Sequence, residues 1–210
     1  MTCGLIQLTA PIDPVHFYTD YATPTAWKRE PHIVSLLQRL EKLLDADARI
    51  LDVGCNDGRF LSELVGVGWS DVSGIEPTKN TWEIAQSRGF RVLHGGLNLE
   101  VAQAITAEGG AYDCVTVRQV LEHICDLSNF GRSLNQLLNM HGILVVEVPD
   151  SRTNVLHADY ALWEEHVNYF TPETLGAFLS AYGFSIVESY TSKFSGVCLT
   201  VIAQKIAYSA

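Results

Sequence analysis

The stretch Arg49-Ile50-Leu51-Asp52-Val53-Gly54-Cys55-Asn56-Asp57-Gly58 decides the fold of this 210-residue chain. The apolar run within 50–53 predicts a short buried strand. Residues 54–58, which begin and end with glycine, predict a tight turn. Apolar residues then recur at helical spacing over 60–65. Strand, glycine loop and helix in this order form the first unit of a nucleotide-binding α/β fold, in which the ligand lies at the carboxyl end of the strand.

The residue types in the loop predict what kind of ligand it binds. Gly54 and Gly58 lack Cβ, so the backbone there can take positive φ and approach a ligand closely. Asn56 tolerates left-handed geometry better than most residues. The helix that begins near Gly58 points free N–H groups at the loop, which favours an anionic group such as a carboxylate. Asp52 at the end of the strand suits a ligand that also carries an ammonium group.

Length and composition limit the classes of protein to consider. A chain of 210 residues with 47% hydrophobic content fits a single domain over residues 1–210. Its formal net charge of −10 argues against nucleic acid as a partner, because an acidic surface repels phosphate backbones. The sequence has no apolar run of about 18 residues, so no membrane span is predicted, and no signal peptide is recognisable.

Cysteine usage predicts a reducing environment. The chain has five cysteines, an odd number, and no C-x-x-C spacing. This pattern argues against a disulfide framework and against a zinc site. We therefore expect a cytoplasmic protein without a metal centre.

The first 30 residues differ in character from the rest of the chain. They contain several prolines and show no regular period, which predicts a loop-rich N-terminal arm over 1–30. The aromatic side chains of this arm suit two roles, as a lid over a ligand pocket or as anchors that pin the arm to the body. A helix is predicted from Pro31, and it leads into the strand at 50–53.

A second strand, 71–76, ends in an acidic residue. Glu76 lies 18 residues after Gly58, close to the spacing at which a doubly wound fold places an acid on a pair of ribose hydroxyls. A carboxylate can accept both hydroxyl hydrogens; the alternative is a solvated acid at a strand end. Pro77 follows directly. After a third strand at 90–94, Leu97 stands in a loop that is positioned to pack on a base.

The second half of the chain contains the remaining ionisable candidates. A fourth strand at 112–118 is followed by Gln119-Val120-Leu121-Glu122-His123 at its carboxyl end. A polar connection that ends at Phe170 lies outside the regular repeat and is predicted to build the substrate side. Thr171 and Pro172 are predicted to open the next helix. Further strands are predicted at 142–149, 184–190 and 197–203, the last two joined by a hairpin at Ser195-Gly196.

Two motifs together resemble a known family. The run Asp52-x-Gly54-x-Asn56-x-Gly58 resembles the first motif of class I S-adenosylmethionine (SAM) methyltransferases, which usually have glycine at the position of Asn56. The fourth-strand run from Tyr112 to His123 is also similar to theirs. The NAD fingerprint G-x-G-x-x-G fits less well, because Asn56 and Arg59 occupy two of its glycine positions.

The resemblance covers residues 32–203 and implies a complete fold and cofactor site. The fold is α/β, with a Rossmann-like, doubly wound sheet of seven mostly parallel strands and helices on both faces. Its last strand is antiparallel and inserted between the fifth and the sixth. The implied cofactor is SAM, with S-adenosylhomocysteine as product. The residues implied to bind it are Asp52, Gly54, Asn56, Gly58, Glu76, Pro77, Leu97, Arg118 and Gln119.

A narrower resemblance concerns the run Glu165-His166-Val167-Asn168-Tyr169-Phe170. An E-H-x-x-Y-F run at this place is similar to that of deoxysugar C-methyltransferases, which methylate a ketosugar nucleotide next to its carbonyl. His123, Glu165 and His166 match active-site positions of those enzymes, and Trp163 stands where they have a tyrosine. Those enzymes also have a four-cysteine zinc domain before this domain and another domain after it, and these 210 residues contain neither.

Three functions follow as alternatives. In the first, the chain transfers a methyl group to carbon or oxygen of a small-molecule acceptor, with sugars and sugar nucleotides among the candidates. His166 is then the first candidate for the base, because the pKa of imidazole lies near neutrality, with Glu165 and His123 as further catalytic residues. In the second, the domain binds SAM without turnover as a partner or regulatory subunit. An NAD-dependent enzyme is the third and least favoured. The sequence leaves the oligomeric state open.

Overall fold

A seven-stranded sheet with helices on both faces forms the body of the computed structural model, which describes residues 4–8, 31–154, 165–193 and 196–207. The strands of this sheet are β2 (Ile50–Val53), β3 (Val72–Glu76), β4 (Arg91–His94), β5 (Tyr112–Arg118), β6 (Leu138–Pro149), β8 (Phe184–Lys193) and β9 (Val197–Lys205). The helices are α1 (Pro31–Leu40), α2 (Arg59–Gly66), α3 (Lys79–Ser87), α4 (Leu99–Gly109), α5 (Leu127–Leu137), α6 (Ser151–Asn154) and α7 (Pro172–Ala181). A 3₁₀ turn, Leu121–His123, follows β5, and a short pair of strands, β1 (Ile6–Gln7) and β7 (Asn168–Tyr169), lies beside the main sheet.

The strand order confirms the predicted fold. It runs β4-β3-β2-β5-β6-β9-β8, and β2 to β6 are parallel to one another. Strand β9 is antiparallel to both of its neighbours and lies between β6 and β8. The order reverses between β2 and β5, and at such a reversal the connections diverge and open a crevice at the carboxyl ends of the strands.

Helices cover both faces of the sheet, and this explains the apolar character of its central strands. Ile50 packs into a cluster with α1, α2 and α3, whereas Leu51 and Val53 pack into a second cluster with α4, α5 and α7. A strand buried on both faces has no polar side to alternate with the apolar one. The helix after Thr171 begins as predicted, because Thr171 caps it and Pro172 occupies its first turn. Among the described residues no helix is long and apolar enough to cross a membrane.

One strand begins earlier than predicted. Strand β6 starts at Leu138, where the sequence had placed its start at Gly142. Leu138 pairs with Tyr112, and the register then shifts before Cys114 pairs with Ile143. The intervening residues 139–141 are exposed, and they carry no apolar pattern from which a strand can be predicted.

The pair β1 and β7 was not predicted either. Ile6 and Gln7 pair antiparallel with Tyr169 and Asn168, which places part of the N-terminal arm against the segment after His166. Strands of two residues are too short to show a period. The predicted lid over 1–30 lies outside the described residues, except for 4–8. The same holds for Ser195 in the predicted hairpin.

A buried carboxyl group joins the two central strands. Asp52 on β2 is almost fully buried, and its Oδ1 accepts a hydrogen bond from the Oγ1 of Thr116 on β5 at 2.6 Å. Burial raises the pKa of Asp52 to about 6, although the Arg118 guanidinium and the Thr116 hydrogen bond act in the opposite direction. The folded protein therefore binds a proton at Asp52 more readily than the unfolded chain does.

This shift predicts that Asp52 lowers stability at neutral pH. The pKa of Asp52 is about 6 in the folded state, against 3.8 in the unfolded chain. The loss of stability caused by its ionisation is therefore complete above pH 6 and absent below about pH 4. In Asp52→Asn an amide oxygen still accepts from Thr116 and the charge is gone. We expect its free energy of unfolding at pH 7.5, measured by urea unfolding, to be about 1–3 kcal/mol higher than that of the unaltered protein. As the pH rises from 4 to 6, its free energy of unfolding should fall less than that of the unaltered protein.

The matched control is Asp47→Asn, which removes an exposed carboxylate. Exposed substitutions of this kind change stability by about 0.5 kcal/mol or less. An Asp52→Asn protein that unfolds at lower urea concentration at pH 7.5 contradicts the assignment of a destabilising buried charge.

Candidate functional site

The glycine loop has the backbone geometry that the sequence predicts. Gly54 and Gly58 have φ of 76° and 79°, and Asn56 between them has φ of 51°, so all three take left-handed conformations. The N–H groups of Gly54 and Cys55 both donate to the carbonyl of Ile75, at 2.8 and 3.1 Å. The loop is thereby held against the end of β3, beside the crevice.

Gly54 is required for packing as well as for backbone conformation. A Cβ at this position would overlap the Cγ2 of Val120, in the segment that follows β5. The absence of a side chain therefore lets the end of β5 lie directly on the glycine loop. Val120 had no role in the sequence analysis, and no local pattern marks it.

Glu76 supports the loop from within the protein. Its Oε2 accepts from the backbone N–H of Asn56 at 2.8 Å, and its Oε1 accepts from the N–H of Thr78 at 2.9 Å and the hydroxyl of Thr81 at 3.0 Å. An ionised carboxylate has about four acceptor directions, so these three bonds leave about one for a ligand. The sequence predicted a ribose contact at Glu76 and did not predict this bracing role.

The acid within the glycine loop is neutralised by two cations. Asp57 is buried, and its Oδ2 lies 2.8 Å from the Nε of Arg59 and 3.1 Å from the Nη2 of Arg88. Arg59 lies in the first turn of α2, and Arg88 follows α3. The pairs tie the loop to both helices, and they show why a charged residue stands where the NAD fingerprint has glycine.

Pro77 and Leu97 lie where the chain leaves β3 and β4. Pro77 is exposed, and its carbonyl lies 3.1 Å from the Nε2 of His94. The His94 ring stacks on Trp82 with 4.8 Å between the centroids. Leu97 is half-buried against the core formed with α4 and α5. The contact of Leu97 with a base stays a prediction.

Arg118 and Gln119 converge on a buried acid that the sequence analysis did not single out. Gln119, with φ of 54°, donates from Nε2 to the Oε1 of Glu147 at 3.3 Å. The Nη2 of Arg118 lies 3.5 Å from the same oxygen, and its guanidinium lies 4.3 Å from the ring centroid of Phe60. Glu147 was detectable as the single acid within the apolar run 142–149. It orients both predicted cofactor residues at the carboxyl edge.

The structure brings His123 and His166 together. Their ring centroids are 4.9 Å apart in an edge-to-face arrangement. The Nδ1 of His123 lies 2.9 Å from the carbonyl oxygen of Glu165. A carbonyl only accepts, so this nitrogen carries the hydrogen and Nε2 holds the lone pair of the neutral ring. Glu165 contributes this carbonyl, and its side chain is half-buried.

Backbone hydrogen bonds fix the two histidine segments to each other. The N–H of Val167 donates to the carbonyl of Glu122 at 2.8 Å. The side-chain amide of Asn168 donates to the carbonyls of Leu121 and Ile124, at 3.0 and 2.7 Å. Asn168 is buried, and the sequence analysis gave it no function. These bonds hold the segments that carry His123 and His166 at a fixed distance from each other.

Burial keeps both imidazoles neutral. It lowers the pKa of His123, and it lowers the pKa of His166 to about 4 together with the repulsion from His123. A neutral imidazole has a lone pair that can accept a proton or bind a cation. Trp163, which matches the tyrosine of the resembling enzymes, lies outside the described residues.

Glu122 completes this cluster. It is 1% exposed, and among the described residues no other residue donates a hydrogen bond to either of its carboxyl oxygens. Its Oε1 lies 3.9 Å from the Nε2 of His123, and burial raises its pKa to about 8. One ligand-type atom from each of Glu122, His123 and His166 lies within 4.8 Å of the others. Glu122 lies in the run 119–123 after the fourth strand, and the sequence predicted no role for it.

Comparison with known proteins agrees with this fold. A family model described as "Methyltransferase domain" matches residues 26–189. The C-methyltransferase NovU of Streptomyces niveus is 26% identical over 183 residues, covering 82% of this chain and 43% of NovU. A ubiquinone biosynthesis O-methyltransferase of Azorhizobium caulinodans is 30% identical over 159 residues, covering 67% of this chain and 60% of that protein. The chain thus spans about half the length of these curated relatives.

Solved structures have the same fold. A SAM-dependent methyltransferase from Archaeoglobus fulgidus superposes with a TM-score of 0.68 at 16% identity, over 83% of this chain and 93% of the other. Magnesium protoporphyrin IX methyltransferase from Synechocystis, crystallised with bound S-adenosylhomocysteine, gives 0.64 at 18% identity, over 83% and 82%. Since the family model spans most of its length, the chain belongs to the methyltransferase-domain family, whose methyl donor is SAM.

Proposed function

We propose that this chain transfers the methyl group of SAM to a small-molecule acceptor that binds against His123, His166 and Glu165. The observation that carries this proposal is the placement of the histidine pair. Hydrogen bonds hold it at the carboxyl edge of the sheet, in the segment whose Val120 packs on Gly54 of the glycine loop. Cofactor loop and acceptor residues are therefore neighbours, as a direct methyl transfer requires.

The cofactor residues each suit a different part of SAM. The N–H groups at the start of α2 favour its carboxylate, and the buried Asp52 suits its ammonium group. Glu76 retains about one acceptor direction for the ribose hydroxyls. Leu97 is assigned to the base. Arg118 and Gln119 line the crevice between the loop and Glu147.

The chemistry requires alignment and the removal of one proton. The acceptor atom attacks the methyl carbon, the carbon–sulfur bond breaks, and its electron pair returns to sulfur as the sulfonium becomes a thioether. Positioning of the reacting atoms is the largest contribution to such a step. The acceptor proton moves to a base, and the neutral imidazole of His166 is the assigned base.

Two classes of acceptor atom are supported: a carbon next to the carbonyl of a sugar, and a hydroxyl oxygen. The E-H-x-x-Y-F run over 165–170 and the likeness to NovU, a C-methyltransferase, favour carbon next to a carbonyl in a ketosugar or its nucleotide. The likeness to ubiquinone biosynthesis O-methyltransferases favours a hydroxyl oxygen. Both acceptors lose a proton to the same kind of base.

Calorimetric titration and a transfer screen test the proposal together. We expect saturable binding of SAM and of S-adenosylhomocysteine, and none of NAD. Transfer of an isotope-labelled methyl group from SAM is then screened against ketosugar nucleotides and small hydroxylated metabolites. Binding of NAD in place of SAM contradicts the cofactor assignment. SAM binding without transfer to any of these acceptors contradicts the enzyme assignment and favours a non-catalytic SAM-binding partner.

Glu76 provides a prediction on cofactor affinity. We expect Glu76→Ala to weaken SAM binding by about 1.5–3 kcal/mol, the range for hydrogen bonds to a charged group, which is about 10- to 150-fold in Kd. Thr81→Val is the matched control: it removes one bracing donor from Glu76 and keeps the carboxylate. Its SAM affinity should stay within about threefold, as measured by calorimetry.

A ligand lacking the ribose hydroxyls separates the two roles of Glu76. If Glu76 binds these hydroxyls, the 2′,3′-dideoxy analogue of S-adenosylhomocysteine should lose little affinity on Glu76→Ala. An equal loss with both ligands assigns Glu76 to loop bracing alone. A loss below threefold with the natural ligand removes it from the cofactor site.

His166 provides a prediction on turnover. Asparagine at this position keeps polarity and approximate size but cannot accept a proton as imidazole does. We expect His166→Asn to lower kcat by about 10²–10⁴-fold, the usual contribution of an acid–base group, while SAM affinity changes by no more than a few-fold. The exposed His141→Asn is the control and should keep full turnover. Normal kcat in His166→Asn shifts the assignment to His123.

A further inference from the structure

We propose that Glu122, His123 and His166 bind a divalent transition-metal ion. The site lies in the acceptor region of the proposed function, so its meaning for catalysis rests on that function. Ion binding itself is measured without any acceptor. The cysteine pattern predicted no metal centre. The three side chains of the proposed site come from two segments that only the fold brings together.

The distances suit a single ion. One oxygen of Glu122 and one nitrogen of each histidine lie within 4.8 Å of one another. Bonds of about 2.0–2.2 Å to a zinc-like ion place its ligand atoms up to about 4 Å apart. Small side-chain rotations are therefore enough to close the site, and the Glu122 Oε1 to His123 Nε2 distance of 3.9 Å already falls in this range.

The second observation is the unsatisfied carboxyl group of Glu122. The residue is 1% exposed, and no other residue in the described part of the chain donates a hydrogen bond to either carboxyl oxygen. A buried carboxyl group in this state costs free energy, and a charged one costs more. Coordination of a cation satisfies such a group in the interior. The buried acids Asp52, Glu76 and Glu147 do have hydrogen-bond donors from the protein, so Glu122 differs from them.

The surroundings of His123 prepare its Nε2 for a ligand role. Its Nδ1–H donates to the carbonyl of Glu165 at 2.9 Å, which leaves the lone pair on Nε2, the nitrogen nearer Glu122. Metal-binding histidines almost always donate their other ring N–H to a carbonyl or carboxylate in this way. The bonds from Val167 to Glu122 and from Asn168 to Leu121 fix the two segments that carry the ligands.

The ligand types select the class of ion. Two imidazoles and one carboxylate suit Zn²⁺, Co²⁺, Mn²⁺ or Fe²⁺, whereas Mg²⁺ and Ca²⁺ prefer sites made of oxygen. Three protein ligands leave at least one position open. An acceptor oxygen that binds there would be polarised by the ion, which assists loss of a proton from a hydroxyl or from carbon next to a carbonyl. His166 is then a ligand, and it assists proton removal through the ion.

The experiment uses the full chain after dialysis against a chelator. Titration with Zn²⁺ in a calorimeter should show one ion per chain. Co²⁺ serves as a spectroscopic probe, because its visible absorption reports the type and number of ligands. We expect Glu122→Gln, His123→Asn and His166→Asn each to weaken Zn²⁺ binding by tenfold or more, with far-UV circular dichroism confirming that each variant is folded.

Two controls exclude binding elsewhere. Cys125→Ser removes an exposed thiol close to the site, and His141→Asn removes an exposed imidazole distant from it in the fold. Both should leave Zn²⁺ affinity unchanged, and the Co²⁺ spectrum should lack thiolate bands. If a variant does not fold, the Co²⁺ spectrum of the unaltered chain still decides, because two nitrogens and an oxygen absorb differently from sulfur ligands.

The proposal is overturned if the chain shows no saturable Zn²⁺ binding at micromolar concentration. It is also overturned if Glu122→Gln and His166→Asn bind Zn²⁺ as tightly as the unaltered protein, or if Cys125→Ser abolishes binding. SAM binding and methyl transfer are measured separately, on the metal-free chain, whichever of these results is found. Failure of the ion site therefore returns His166 to the role of base, and failure of SAM binding overturns the proposed function instead.

Discussion

The contact between Gly54 and Val120 is the constraint on which the site depends. Because Gly54 has no side chain, the segment after β5 lies directly on the glycine loop after β2. That segment continues into the 3₁₀ turn Leu121–His123, whose carbonyl groups bind Val167 and Asn168 from the later connection. Packing thus joins the loop to the turn, and hydrogen bonds join the turn to the connection, at the point where the strand order reverses. A side chain at Gly54 would separate the cofactor side from the histidine side.

Several buried carboxyl groups lie at this edge, and the hydrogen bonds that they receive distinguish them. Asp52, Glu76 and Glu147 receive hydrogen bonds from neighbouring strands or from the glycine loop. Glu122 receives none from any other described residue. A polar group without a partner in the interior lowers stability, and proteins retain such groups mainly at functional sites. This contrast is why Glu122, and not one of the better-connected acids, is the starting point for the proposed ion site.

The fold was predictable because its pattern is local and repeated. The apolar run 50–53, the glycine loop and the following helix lie within about 20 residues, and strands β5, β6 and β9 show the same kind of apolar run. The predictions that were wrong or incomplete have physical reasons. Strand β6 starts at Leu138 because pairing with Tyr112 supports it across the exposed residues 139–141. The strands β1 and β7 exist through their mutual pairing and have no periodic signal of their own.

By itself, the sequence determined the α/β class, the position of the glycine loop and the left-handed backbone at Asn56. The family resemblance supplied the place of the antiparallel last strand. It also supplied His123 and His166 as separate candidates. Only the tertiary structure decided that these rings lie 4.9 Å apart, that Glu76 braces the loop and that Glu122 is buried with no hydrogen bond from another described residue. The reason is that backbone conformation and apolar periodicity act between near neighbours in sequence, whereas burial and side-chain partners depend on segments that meet only when the chain is folded.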